Sequence, residues 1–352
     1  MPDAHILPFE PARGSGDSTP DTTRIGPSKA ARMVGNTGPQ PAAPRQASRP
    51  DPQSAEVDRA AASGELIAAE ARELALRGDV EGWGDFVRRR ISGEYPIDDY
   101  GFDPELTDRV LLALARPLYR SWFRVDTTGL ENVPDDSAAL VVANHSGTIA
   151  IDSIMTQVAL HDEHPAHRHL RMLGANLVFQ TPFLGELARK AGHTLACHPD
   201  AERLLSAGEV VGVWPEGFKG IGKPFSQRYK LQRFGRGGFV AAALKTGAPI
   251  IPTAIVGAEE IYPMIGNART LARIAGLPYF PITPTFPWFG PLGMVPLPSK
   301  WLIHFGEPIP TDQFPEGAAD DPMIVFNLTD QVREQIQQSL YRLLVRRPSA
   351  FG

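Results

Sequence analysis

A chain of 352 residues, 42% of them hydrophobic, has material for a sizeable buried core in one large domain or two small ones. Its formal charge of −5 argues against nucleic acid as a main partner, and its single cysteine, Cys197, excludes an intramolecular disulfide framework and fits a reducing compartment. No apolar run reaches the roughly 18 residues of a spanning helix. The opening MPDAHILPFEPARGSG lacks the apolar stretch of a secretory signal. Any membrane contact is therefore expected to be peripheral, and the expected location is cytoplasmic, on the inner face of the cell membrane.

Residues 1–53 are rich in Pro, Ala, Ser, Gly and Arg without an apolar period, and the composition predicts disorder. Residues 54–100 read as a helical segment. Val57, Ala60, Ile67, Ala71 and Leu74 share a face of one helix, which stops near Gly78, and a second short helix covers 81–91. A main domain is expected over 101–352. It opens with Asp103-Pro104-Glu105, a helix cap followed by a first-turn proline. Along that helix Leu111, Leu114, Leu118 and Trp122 form one stripe and Arg109, Arg116, Arg120 and Arg124 another. Such a helix either lies in an anionic membrane interface or packs on the core with a solvated basic face. Pro117 is expected to kink it.

Beyond Phe123, short apolar strands alternate with helices. Strands are predicted over 138–143, 170–173, 194–197, 210–214, 250–256 and 301–305; helices over 153–160, 184–191, 201–206, 237–246 and 324–344. Ile324, Leu328, Val332, Ile336 and Leu340 form one stripe of the last helix. The alternation predicts an α/β domain whose mixed sheet is largely parallel and flanked by helices. The insert around 277–298, rich in Pro and aromatic residues, fits neither element type. Its Trp288, Phe289, Leu292, Met294 and Val295 are too apolar for an ordinary exposed loop and suit a membrane headgroup layer or an apolar entrance.

The chemistry gathers at two strand ends. His145 follows the strand Leu140-Val-Val-Ala143, where α/β sheets place their ligands, and Asp152 opens the next helix seven positions later. A folded-back loop would let the carboxylate orient the imidazole of a general base; the bland reading is a loop histidine beside an N-cap. Glu216 and Gly217 end the strand Val210–Trp214. From Phe218 to Gly238 the chain carries Lys219, Lys223, Arg228, Lys230, Arg233 and Arg236 with no acid, a pattern suited to an anion cradle or a lipid headgroup.

Asn144-His145 with Asp152, Pro215-Glu216-Gly217 and Gly247-Ala-Pro-Ile-Ile-Pro252, in this order, resemble the glycerolipid (lysophospholipid) acyltransferase family over about 129–310. The segment His198–Arg203 stands weakly where the family has its second motif. The common pattern would place the acid at Ala150. The longer loop here is similar to the mono- and diacylglycerol acyltransferase branch, and Phe218-Lys219 stand where an arginine is usual.

The resemblance implies the family's fold and transfer of an acyl group from acyl-CoA, a co-substrate, to a glycerolipid hydroxyl, with no cofactor. In that reading His145 is the base, Asp152 supports it, and amides of Ser146-Gly147 face the oxyanion. Glu216, Gly217, Lys219, Lys223 and Arg228 bind the substrate. The implied acceptor is lysophosphatidic acid or glycerol 3-phosphate; the alternatives are a mono- or diacylglycerol acceptor, or a non-catalytic protein that binds membrane lipid. A hydrolase reading lacks a Gly-x-Ser-x-Gly elbow. The string His161-Asp-Glu-His164-Pro-Ala-His167-Arg-His169 is broken by Pro165 and lacks a completing cluster, so it reads as an exposed connection and no metal is expected.

Overall fold

The computed structural model describes residues 82–146, 148–235, 237–274 and 276–351. The expected tail over 1–53 and the helix ending near Gly78 lie outside the described residues. One compact unit runs Asp85–Gly352. Within it Arg90, on a helix over 82–92 (α1), pairs with the fully buried Asp103, its Nη2 donating to Oδ1 at 2.7 Å.

Asp103 caps the next helix as its sequence predicts, accepting from the Leu106 amide. That helix alternates α segments, Pro104–Leu106 (α2) and Leu112–Pro117 (α3), with π-helical turns Thr107–Leu111 and Leu118–Trp122. The buried face is Leu112, Ala115, Tyr119 and Phe123, one position along from the expected stripe; Leu114 is 72% exposed and Trp122 38%. The offset is the same at every position, so the stripe keeps its spacing and is rotated by one residue. The arginines are also less free than expected. Arg116 and Arg120 both bind Asp162, and Arg109 pairs with Glu105.

Seven strands form the main sheet, in the order β1-β9-β6-β2-β5-β3-β4. They are Asp126–Thr128 (β1), Ala139–Ala143 (β2), Leu170–Gly174 (β3), Thr194–Leu195 (β4), Val210–Val213 (β5), Ile250–Val256 (β6) and Leu302–Phe305 (β9). A small hairpin pairs Gly266–Asn267 (β7) with Pro281–Ile282 (β8) at the edge of the insert. β6 and β9 pair antiparallel, whereas the other neighbours in the main sheet run parallel, so the expected mixed, largely parallel sheet is present.

The helices Ile151–Glu163 (α4), Asn176–Gln180 (α5), Leu184–Lys190 (α6), His198–Ser206 (α7), Phe218–Ile221 (α8), Gly238–Thr246 (α9), Arg269–Ile274 (α10) and Pro322–Arg346 (α11) complete the chain. β2 is buried at every residue, which is why it reads as a continuous apolar run. Its alternate side chains serve two cores. Val141 and Ala143 join Leu112, Tyr119, Val158 and Trp301, while Leu140 and Val142 join Leu204, Val240, Leu328, Val332 and Ile336. The expected α11 stripe is thus the covering of one sheet face. Among the described residues no helix is long and apolar enough to cross a membrane.

The face assignment of the long helix is testable in membrane-free solution. Leu112→Ala should lose about 2–5 kcal/mol of unfolding free energy, and Leu114→Ala less than about 0.5 kcal/mol, measured by denaturant titration. Equal losses at the two positions would reject it.

Candidate active site

β2 ends between β5 and β6, and the chain then leaves the sheet with its polar groups tied down. Asn144 Nδ2 donates to the Ile255 carbonyl at 3.0 Å, and its Oδ1 accepts the Ile255 amide at 2.7 Å. This side chain continues the ladder where the backbone turns away. His145 follows, and its amide donates to Glu216 Oε1 at 2.9 Å.

The ring of His145 meets Asp152, the second residue of α4. Nδ1 and Asp152 Oδ2 lie 2.8 Å apart. The same Oδ2 accepts the Ser146 amide at 2.9 Å, and Oδ1 accepts the Ser153 amide at 2.9 Å. The carboxylate is fully buried, while 13% of the His145 side chain is exposed. Three donors and the positive end of the helix dipole converge on its two oxygens. An ionised acceptor at Nδ1 selects the tautomer with hydrogen there, leaving the Nε2 lone pair free.

The two extra residues between His and Asp are absorbed by a loop with its own supports. Thr148 sits at φ +61°, a rare value for a β-branched residue. Its hydroxyl donates to the Tyr262 carbonyl at 3.3 Å, and its carbonyl accepts from the Tyr279 hydroxyl. Gly147 lies outside the described residues. The Ser146 amide, expected to face an oxyanion, is instead held by Asp152. Ser146 Oγ and Trp214 Nε1 are buried with no partner among the described residues, and the Trp214 ring centre lies 6.0 Å from that of His145.

Glu216 is a buried strut. Beside its bond to His145, its Oε2 accepts the Gln232 amide at 2.6 Å and lies 3.5 Å from Lys223 Nζ. Lys223 also reaches Glu259 Oε1 at 3.0 Å and donates to the Lys230 carbonyl at 3.3 Å. Burial pushes the Glu259 carboxyl up to about 7, against the pull of Lys223. Expected on substrate, Lys223 is thus enclosed between two carboxylates, whereas Lys219 and Arg228 are exposed. Arg228 and Thr148 line a small pocket with Gly220, Lys223, Glu259 and Tyr262.

Gly217 takes φ +53° and ψ −142°, backbone that favours glycine. Gly220 has a steric role. A Cβ there would lie 2.7 Å from Glu216 Cβ and 2.8 Å from the His145 carbonyl oxygen, so the two strand-end loops touch only because it has none. The Gln232 segment is fixed in turn by α11. Gln337 Oε1 accepts the Leu231 amide at 3.0 Å, and its Nε2 donates to the Tyr229 carbonyl at 2.9 Å.

Metal-binding geometry occurs elsewhere. Among the described residues, Asp108, His161 and His169 bring one ligand atom each within 4.8 Å of one another. The histidine string is not the exposed connection expected. His161 belongs to α4, and His164 is buried with its Nε2 donating to the Val133 carbonyl at 2.9 Å.

Residues 124–256 match the model of the acyltransferase family. An uncharacterized protein of Mycobacterium tuberculosis is 56% identical over 298 residues, 84% of this chain and 83% of that protein. The human "DGAT1/2-independent enzyme synthesizing storage lipids" is 25% identical over 54% of this chain and 55% of its own length. The chloroplastic 1-acyl-sn-glycerol-3-phosphate acyltransferase BAT2 of Brassica napus is 26% identical over 40% of each chain.

The buried ionic strut makes a sharp stability forecast. Lys223→Met leaves two buried carboxylates without their cation and should cost about 3–5 kcal/mol, whereas Lys219→Met should cost under about 0.5 kcal/mol. Denaturant midpoints of the two variants measure the contrast, and a silent Lys223→Met would remove the strut from the account.

Proposed function

We propose, because this chain belongs to the acyltransferase family, that it is an acyl-CoA-dependent O-acyltransferase esterifying a glycerolipid hydroxyl, lysophosphatidic acid or glycerol 3-phosphate first among the acceptors. The observation that carries the reading is the 2.8 Å contact between His145 Nδ1 and a buried, fully bonded Asp152, with Nε2 left free at a partly exposed ring.

In this scheme His145 Nε2 takes the proton of the acceptor hydroxyl as its oxygen attacks the thioester carbonyl carbon. The tetrahedral intermediate collapses with cleavage of the C–S bond. The thiolate, whose conjugate acid has a pKa of about 8.5, leaves with little need of a proton. Asp152 holds the ring and stabilises the imidazolium that forms. Glu216 and Gly217 act by fixing the loop that bears His145, and the exposed Lys219 and Arg228 meet an acceptor phosphate. The Ser146 amide is taken by Asp152, so another donor must serve the oxyanion. Acyl-CoA enters as co-substrate, and the scheme uses no cofactor.

A second reading, a neutral mono- or diacylglycerol acceptor, is favoured by one observation. The enclosure of Lys223 between Glu216 and Glu259 removes a cation that a phosphate would need. The human relative named for storage-lipid synthesis supports the same side.

A peripheral seat on a membrane, on its inner face, fits the exposed apolar side chains. Trp288, Phe289 and Leu292 are each more than 60% exposed. Trp122 adjoins them, its indole nitrogen donating to the Pro296 carbonyl at 2.9 Å. Lipid contact in this reading rests on apolar burial, since the arginines of the neighbouring helix are paired within the protein.

Two experiments decide. In a product-resolved assay with acyl-CoA and a panel of phosphorylated and neutral acceptors, His145→Ala should lower kcat by about 10²–10⁴-fold, with Asp152→Asn reduced in the same direction. An active His145→Ala would sink the mechanism, and the preferred acceptor chooses between the two readings. In vesicle sedimentation, the double change Trp288→Ser and Phe289→Ser should weaken binding to anionic liposomes; unchanged binding returns these residues to a role within the protein.

A further inference from the structure

We propose that Asp108, His161 and His169 form a binding site for a divalent transition-metal ion, zinc foremost, that is separate from the reacting centre. The three residues come from separate elements: a π turn, the last turn of α4 and the residue preceding β3. Asp108 Oδ1 lies 3.1 Å from His161 Nε2 and 3.7 Å from His169 Nε2. Tetrahedral zinc, with bonds of about 2.0–2.1 Å, sets its ligand atoms about 3.3–3.4 Å apart, between these two distances.

Asp108 and Asp162 face the His161 ring from its two nitrogens. Asp108 Oδ1 is buried and has no hydrogen-bond partner among the described residues, although an imidazole nitrogen is 3.1 Å away. A neutral His161 has one ring hydrogen and two carboxylates to face. Its Nδ1 bonds to Asp162 Oδ1 at 3.2 Å, and hydrogen there turns the Nε2 lone pair toward Asp108. A lone pair opposed to a carboxylate oxygen is repulsive in the absence of a cation. A metal ion converts that repulsion into coordination, and the carboxylate–imidazole–metal relay that results is the usual support of a histidine ligand.

Asp162 is itself anchored. Arg116 Nε and Nη2 donate to its two oxygens at 2.8 Å each, and Arg120 Nη2 donates to Oδ2 at 3.0 Å. Two imidazoles and one carboxylate suit zinc and its neighbours in the transition series, and the hard-oxygen cations poorly. A fourth position is left for water. His161 lies nine positions after Asp152 on α4, about 14 Å along the axis, so the ion would have no part in acyl transfer. Its role is to fasten the π-helical segment and the end of α4 to the start of β3.

The rival arrangement is a doubly protonated His161 held between Asp108 and Asp162 without any ion. Titration of the full chain separates the two, using protein purified without a histidine tag and freed of metal by chelating resin. With Zn²⁺ and a chromophoric competitor, one ion per chain should bind. Asp108→Asn and His169→Gln should each weaken it by at least about tenfold, and Asp162→Asn by about 10–100-fold. His167→Gln, beside the cluster, should leave affinity unchanged. Far-ultraviolet dichroism of each apo variant checks that it is folded, and the Co²⁺ derivative of the wild type should give the intense visible bands of tetrahedral coordination. Absence of Zn²⁺ binding by the wild type, or binding indifferent to both Asp108→Asn and His169→Gln in folded variants, overturns the proposal.

Discussion

Glu216 sits where the loops after β2 and β5 meet, and its two oxygens divide between them. One accepts the amide of His145; the other accepts the amide of Gln232 and faces the ammonium of Lys223. A carboxylate buried this far from water is tolerated because both of its oxygens meet donors. The arrangement sets the path of the backbone at His145 before the side chain is considered. Asp152 then sets the side chain. Orientation of the imidazole is thus the product of two carboxylates acting at different levels, one on the main chain and one on the ring.

The contact between those loops is as close as it is because Gly220 lacks a side chain. Any larger residue would push Glu216 and the His145 backbone apart, and the hydrogen bond from the His145 amide to Glu216 would lengthen. Lys223 extends the strut sideways to Glu259, whose carboxyl is raised to about 7 by burial. A cation placed between two buried acids lowers the cost of both, and it explains why this lysine sits in a stretch otherwise studded with exposed basic residues. The basic composition of 218–238 therefore contains two kinds of residue, some internal and some facing solvent.

The parts of this architecture that could be read from residues are those with short-range signals. β2, β5 and β6 are apolar runs because both faces of the sheet are covered, and polar loops follow directly at their ends. The stripe of α11 is legible for the same reason. His145 and Asp152 could be paired from their places at a strand end and a helix start, although two residues of extra loop intervene. What could not be read depends on distance or on phase. The long helix buries Leu112, Ala115, Tyr119 and Phe123 in place of Leu111, Leu114, Leu118 and Trp122, a constant one-residue offset. Neither the enclosure of Lys223 by Glu259 nor the approach of Asp108 to His161 and His169 leaves a local mark. Gly220 could have been suspected only by asking which glycine of the 217–222 stretch had to stay small.

Gln337 of α11 holds the Tyr229–Leu231 segment and, through it, the donor to Glu216; β9, another late element, is the strand that joins β1 to the sheet. Long sequence separations of this kind are closed slowly, because loop entropy must be overcome before the contacts form. During synthesis the reacting pair would leave the ribosome well over a hundred residues ahead of the helix that steadies its surroundings. A nascent chain therefore carries His145 and Asp152 for roughly 10–40 s, at roughly 5–20 residues per second, without a finished site around them. The supports of the site are complete only with the final stretch, so a prematurely ended translation product would have the motifs without the contacts that hold them.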